Sequence, residues 1–107
     1  MSNMASGNRY IGKPLLRILE CYVLWAIGEL GEQEERILQE MEPNLRKTFN
    51  QPGEWRDIVA SVMELPKDMP ELIRSCWAKN QEIAKQHNTT LTGQQFAETF
   101  VDNNLAN

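Results

Sequence analysis

Between Pro14 and Leu30 the chain carries more apolar side chains than one exposed helix can use. Leu15, Leu16, Ile18, Leu19, Tyr22, Val23, Leu24, Trp25, Ala26, Ile27 and Leu30 fall in this stretch. At about 100° per residue most of them cover slightly more than half of a helical wheel. Arg17, Glu20, Cys21 and Gly28 cluster opposite. A helix lying on a protein surface shows a narrower stripe. The first helix is therefore expected to be central and touched on two sides, or to lie partly in a subunit interface. Pro14 suits its first position, and Gly31 offers a left-handed cap at its end.

The remaining apolar residues repeat at helical spacing. Glu32 to Met41 is acidic and helix-prone, with Glu32, Glu34 and Glu35 where the helix dipole favours them. Pro43 is expected to interrupt this segment, with Leu45 and Phe49 on a short further turn. Gln51-Pro52-Gly53 signals a turn. Trp55, Ile58, Val59, Val62 and Met63 then follow one helical face. Pro66 ends it, and Asp68-Met69-Pro70-Glu71 reads as a new start. The next face comprises Leu72, Ile73, Cys76, Trp77, Ile83 and Ala84, with Asn80 as its polar member. Thr92 and Gln95 have the spacing of a capping box, and Leu91 and Phe96 that of a hydrophobic staple. No window alternates with period two over strand length. The expectation is an all-α, compact single-domain bundle of four to five helices, at about 14–30, 33–48, 53–65, 69–87 and 93–102. Short joins favour antiparallel neighbours. Residues 1–13, rich in Ser, Asn and Gly, read as a mobile tail before a single helical domain over 14–107.

A length of 107 residues accommodates one core and no cleft between two domains. Eleven basic against fifteen acidic residues give a formal charge of -4, without the basic footprint that nucleic acid requires. Two cysteines, Cys21 and Cys76, are too few for a disulfide scaffold. The segment before Tyr10 has no apolar run of a signal peptide, and Cys21 to Ile27 is too short to span a bilayer. A cytoplasmic protein without contact to a membrane is the expectation.

Catalytic chemistry is hard to assemble from these residues. The single histidine, His87, stands near the end of the fourth helix, where the dipole favours a charged imidazole. Cys76 lies on nearly the same face but about 16 Å away along a continuous helix, beyond hydrogen-bond reach. No Glu-x-x-His, Cys-x-x-Cys, calcium-loop or phosphate-cradle pattern occurs. Neither a catalytic site, a cofactor nor a metal is expected. The fourth and fifth helices form a loose helix–turn–helix. Gln94 and Gln95 could meet adenine edges, but no Lys or Arg follows Lys85 to hold phosphates. A DNA-binding regulator is the least favoured of the alternatives.

Three tryptophans fall one each in the first, third and fourth helices, where core building is their usual task. The preferred expectation for function is a protein–protein interaction or self-association module, such as a homodimer, acting through the first helix. Tyr22, Leu24 and Trp25 are its candidate anchors. Leu24→Glu should then weaken association and leave helicity intact. Glu32, Glu35 and Glu40 could form an acidic docking face, although such a run is ordinarily a solvated surface. The alternative is a helical bundle enclosing an apolar pocket for a small molecule.

Overall fold

The computed structural model describes residues 12–105. Five α-helices follow one another: α1 (Lys13–Ala26), α2 (Glu32–Phe49), α3 (Trp55–Val62), α4 (Met69–Gln86) and α5 (Gly93–Phe100). The last runs into a π-helical turn over Val101–Leu105. No strand occurs among the described residues. The all-α bundle with short joins is what the periodicity predicts. The expected tail lies outside the described residues up to residue 11, and Lys13 already belongs to α1.

Four helices end in one geometry. After α1, Gly28 takes a φ of 78°, its N–H donates to Trp25 O (3.1 Å), and Glu29 N donates to Leu24 O (2.8 Å). This pair of reversed bonds satisfies carbonyls that a helix end leaves open. Left-handed residues Asn50, Glu64 and Asn88 take the same place after α2, α3 and α4. The matching bonds are Gln51 N to Arg46 O, Leu65 N to Ala60 O and Thr89 N to Ala84 O. The α1 stop therefore falls at Gly28 and not at Gly31, which is the extended N-cap of α2. Both glycines can adopt either conformation at little cost, so local sequence does not choose between them.

Pro43 does not interrupt α2, which is continuous from Glu32 to Phe49. A proline inside a helix removes one backbone bond and crowds the preceding turn, at a cost of roughly 3 kcal/mol. Here Pro43 is exposed, so water can serve the freed carbonyl. Both sides of it are anchored: Leu38 and Leu45 are buried, and Glu42 accepts a hydrogen bond from Trp55 N at 3.0 Å. Packing against α3 outweighs the local penalty.

Capping follows sequence more closely. Thr92 Oγ1 accepts from Gln95 N (3.1 Å) and Gln95 Oε1 accepts from Thr92 N (3.0 Å), closing the expected box. A second box, with Asp57 accepting from Glu54 N at 3.0 Å, starts α3. Asp68 stands at the N-cap of α4 but makes no side-chain cap bond.

Helix α1 is the hub. It packs against α3, α4, α5 and the π-turn, while α2 leans on α3. Leu19 and Val23 are wholly buried, as are Trp55 and Ile73 on the helices around them. Trp77 and Phe96 join α4 to α5 with ring centroids 5.1 Å apart. The broad apolar face of α1 is thus covered from several sides within one chain. This corrects the expectation for two of the three candidate anchors: Tyr22 (4 % exposed) and Leu24 (5 % exposed) are core side chains. Among the described residues no helix is long and apolar enough to cross a membrane.

Candidate functional site

Tyr22 and Trp25 stand one turn apart on α1, so their rings meet, with centroids 5.6 Å apart and planes inclined by 56°. Trp25 is only partly buried. Arg56, the second residue of α3, lays its guanidinium over the Trp25 ring at 4.9 Å and over the Trp55 ring at 5.7 Å. Its charge is balanced by Glu54 and by Glu35, the latter at 3.5 Å. Between these groups and the loop before α4 runs a surface cleft of about 290 Å³. Its walls include Tyr22, Trp25, Arg56, Leu65, Lys67 and Pro70.

The charged groups of this cleft carry both signs: Arg56 and Lys67 stand with Asp57 in its lining. The Tyr22 hydroxyl and the Trp25 indole N–H have no hydrogen bond to any described residue. Tyr22 contributes to the cleft wall although it is only 4 % exposed. Burial raises the Tyr22 pKa, Asp57 raises it further and Arg56 opposes both. The phenol therefore stays neutral and able to donate at physiological pH. Lys67 adds positive charge, Arg56 is paired with Glu54 and Glu35, and the Asp57 carboxylate accepts from Glu54 N.

A second depression lies between α1 and α2, which diverge along an apolar seam. A groove of about 330 Å³ there is lined by Pro14, Ile18, Cys21, Ile37, Leu38 and Met41. The ion pair of Arg17 with Glu34 bridges the two helices beside it. Ile37, 50 % exposed, forms its lip. Cys21 lies in its floor with a thiol pushed up to about 11, chiefly by burial. Cys21 should thus stay a thiol near neutrality and react slowly, because the thiolate is the nucleophile. The raised value also has a stability consequence. The folded state keeps this proton longer than the unfolded chain does, so the contribution is complete below pH ~9 and lost as pH rises toward ~11. Thermal denaturation between pH 8 and 11 should show this decline, and Cys21→Val should flatten it relative to wild type. An unchanged slope in the variant would remove Cys21 from the account.

The acidic residues do not share a face. Glu35 turns toward α3, accepting from Trp55 Nε1 at 3.2 Å and pairing with Arg56. Glu32 and Glu40 are exposed and about 80° apart around the helix. The expected docking face of Glu32, Glu35 and Glu40 is therefore corrected: Glu35 is a structural partner of α3, because a buried indole N–H requires an acceptor. Elsewhere Glu20, Glu98 and Asp102 line a cleft between α1 and the π-turn. Gln94 donates to Glu20 (3.3 Å) and to Glu98 (2.8 Å) there. No group of three or more His, Cys, Asp or Glu among the described residues is placed to hold a metal ion.

His87 is exposed at the C-cap of α4. Cys76, on the same helix, instead receives the Asn80 amide, which donates to its carbonyl at 2.8 Å and to its Sγ at 3.3 Å. The structure does not bring the imidazole and a thiol together. In α5 the side chains of Phe96, Ala97 and Phe100 are buried, and Gln95, Glu98 and Thr99 face outward. Arg56 and Lys67 are invisible as site residues in the sequence because nothing local to either residue predicts a neighbour on α1. The chain was compared with protein-family models, curated proteins and solved structures, and no match was found in any of the three.

Proposed function

We propose that this is a small cytoplasmic, non-catalytic interaction module that binds a protein partner through the Tyr22–Trp25–Arg56 cleft. One observation carries the proposal. A partly exposed tryptophan and a tyrosine whose hydroxyl has no partner among the described residues share a cleft with Arg56 and Lys67. Trp, Tyr and Arg are the residues that dominate binding hot spots, since each combines large contact area with a polar end. Of the three anchors expected on α1, Trp25 remains the partly exposed one; Tyr22, 4 % exposed, reaches only the cleft wall, and Leu24 packs beside Gly93 in the core.

The apolar groove between α1 and α2 supports a second reading, a small apolar ligand. Its size of about 330 Å³ lies within the range of about 300–1,000 Å³ usual for ligand pockets. Native mass spectrometry on protein gently purified from its own host separates the two. Lys67 is exposed, so Lys67→Glu should change stability by no more than about 0.5 kcal/mol. An added protein or a second copy seen with the wild type and lost in Lys67→Glu supports the cleft. A monomer carrying a few hundred extra daltons supports the groove. A partner retained in the variant moves the interface elsewhere, and a bare monomer overturns both.

A further inference from the structure

The groove between α1 and α2 does not end at its own 330 Å³. It continues into a second hollow of about 410 Å³, and the two share Pro14, Ile18 and Met41. Cys21 and Ile37 line one half of this trough, and Gly12 and Phe49 line the other. From Glu34 to Thr48 it follows α2 for about 21 Å, at 1.5 Å per residue. Its floor holds the buried side chains of Ile18, Leu38 and Leu45. Its lip leaves Ile37 half exposed, with Met41 and Phe49 partly covered.

Charge is almost absent from the trough. Arg17 and Glu34 are the charged members of its lining, they stand at one end, and they neutralise each other. Glu20 at 2.9 Å and Gln94 at 3.1 Å hold Arg17 further. At the opposite end Asn44 and Thr48 are exposed, uncharged and without a hydrogen bond to any described residue. Each offers a donor and an acceptor. A charged head group would find no free counter-ion here, and a hydroxyl or ester would find partners at Asn44 and Thr48. A compact ligand would leave most of the length wet, whereas a straight chain removes the apolar lip from water along all of it.

We propose that the trough between α1 and α2 binds a single unbranched alkyl or acyl chain with an uncharged polar head. The chain lies along Ile18, Met41 and Ile37, and the head meets Asn44 and Thr48. Met41 stands where the two halves join, and its unbranched thioether adapts to such a chain. The inference rests on the groove being a ligand site.

The test uses the full chain with ¹³C-labelled Ile and Met methyl groups, titrated with hexanol, octanol and decanol. Decanoate, charged at neutral pH, and cyclohexanol serve as comparisons. The Ile18, Ile37 and Met41 methyls should shift in a saturable way. Ile83, as exposed as Ile37 but on α4, should stay in place. Each added pair of methylenes should tighten binding about four- to fifteenfold, the range from half to full burial of the chain. Decanoate and cyclohexanol should both bind more weakly than decanol. Ile37 is half exposed, so Ile37→Gln should fold as the wild type does and weaken decanol binding about three- to tenfold. Thr48→Val keeps the volume, removes the hydroxyl and should weaken it about two- to tenfold. No shift at the solubility limit of decanol, an equal shift at Ile83, or affinity independent of chain length overturns the proposal. Decanoate binding as tightly as decanol, or full affinity in both variants, does the same. If decanol fails while protein from its own host carries a few hundred extra daltons that Ile37→Gln loses, the chain inference falls and the groove remains a ligand site. If Ile37→Gln retains that mass, the groove reading falls with it.

Discussion

Leu24→Glu is expected to unfold the domain. Leu24 is 5 % exposed, and its side chain crowds the start of α5 beside Gly93. Removing a buried leucine costs roughly 2–5 kcal/mol. The new carboxylate would also lie near Glu29, whose side chain approaches the same point. A buried charge without a counter-ion and beside a like charge adds several kcal/mol more, or must take up a proton. A domain of this size has roughly 5–15 kcal/mol in total, so one substitution consumes most of it. Circular dichroism at neutral pH should show lost helicity and no cooperative melt. Retained helicity with reduced association would return Leu24 to an interface. Leu24→Ala, at the lower end of that range, keeps the comparison measurable if Leu24→Glu does not accumulate.

Trp55→Ala should have an effect of similar size for a different reason. Trp55 is wholly buried and joins α3 to α2. Its backbone N–H donates to Glu42 on α2, its indole donates to Glu35, and Arg56 lies against its ring. Truncating a core tryptophan costs roughly 3–5 kcal/mol. Glu35 and Arg56 would also lose the surface they rest on. At about 4–8 °C per kcal/mol for a domain near 100 residues, the melting temperature should fall by at least ~12 °C. A fall below ~5 °C would show that the α2–α3 seam is held by other contacts. Trp55→Phe, which keeps an aromatic ring and drops the indole bond, should lose a smaller share.

The helices were legible because the signals that place them are local. A capping box joins residues three apart, so Thr92 and Gln95 announce α5 wherever it packs. Pro14 and Pro70 favour helix starts through their own fixed φ. Pro43 obeys the same rule in isolation and breaks it in the protein, because Leu38, Glu42 and Leu45 are held by neighbours distant in sequence. Asp68 fails as a cap by side chain although its spacing to Glu71 is right.

The candidate site was legible by half. Tyr22 and Trp25 stood out as an aromatic pair on an over-wide apolar face. Arg56, Lys67 and Pro70 complete the cleft from α3 and the segments beyond it. Their approach to α1 depends on how α3 docks. Glu35 shows the converse: counted among exposed acids in sequence, it is drawn inward by an indole twenty residues away.

Periodicity, prolines and caps by themselves determined that the chain is helical, that it forms four to five helices, and that the wide apolar face of the first must be covered. They act over one or two turns, within the reach of neighbouring side chains. Tertiary structure alone decided that α3, α4 and α5 of the same chain pack on α1 from several sides. It also decided that Leu24 faces inward while Trp25 reaches the surface, and that Glu35 serves Trp55. A wide apolar face states that water must be excluded, and burial is non-directional, so it does not say by what. Only the docking of α3, α4 and α5 against α1 supplies that answer.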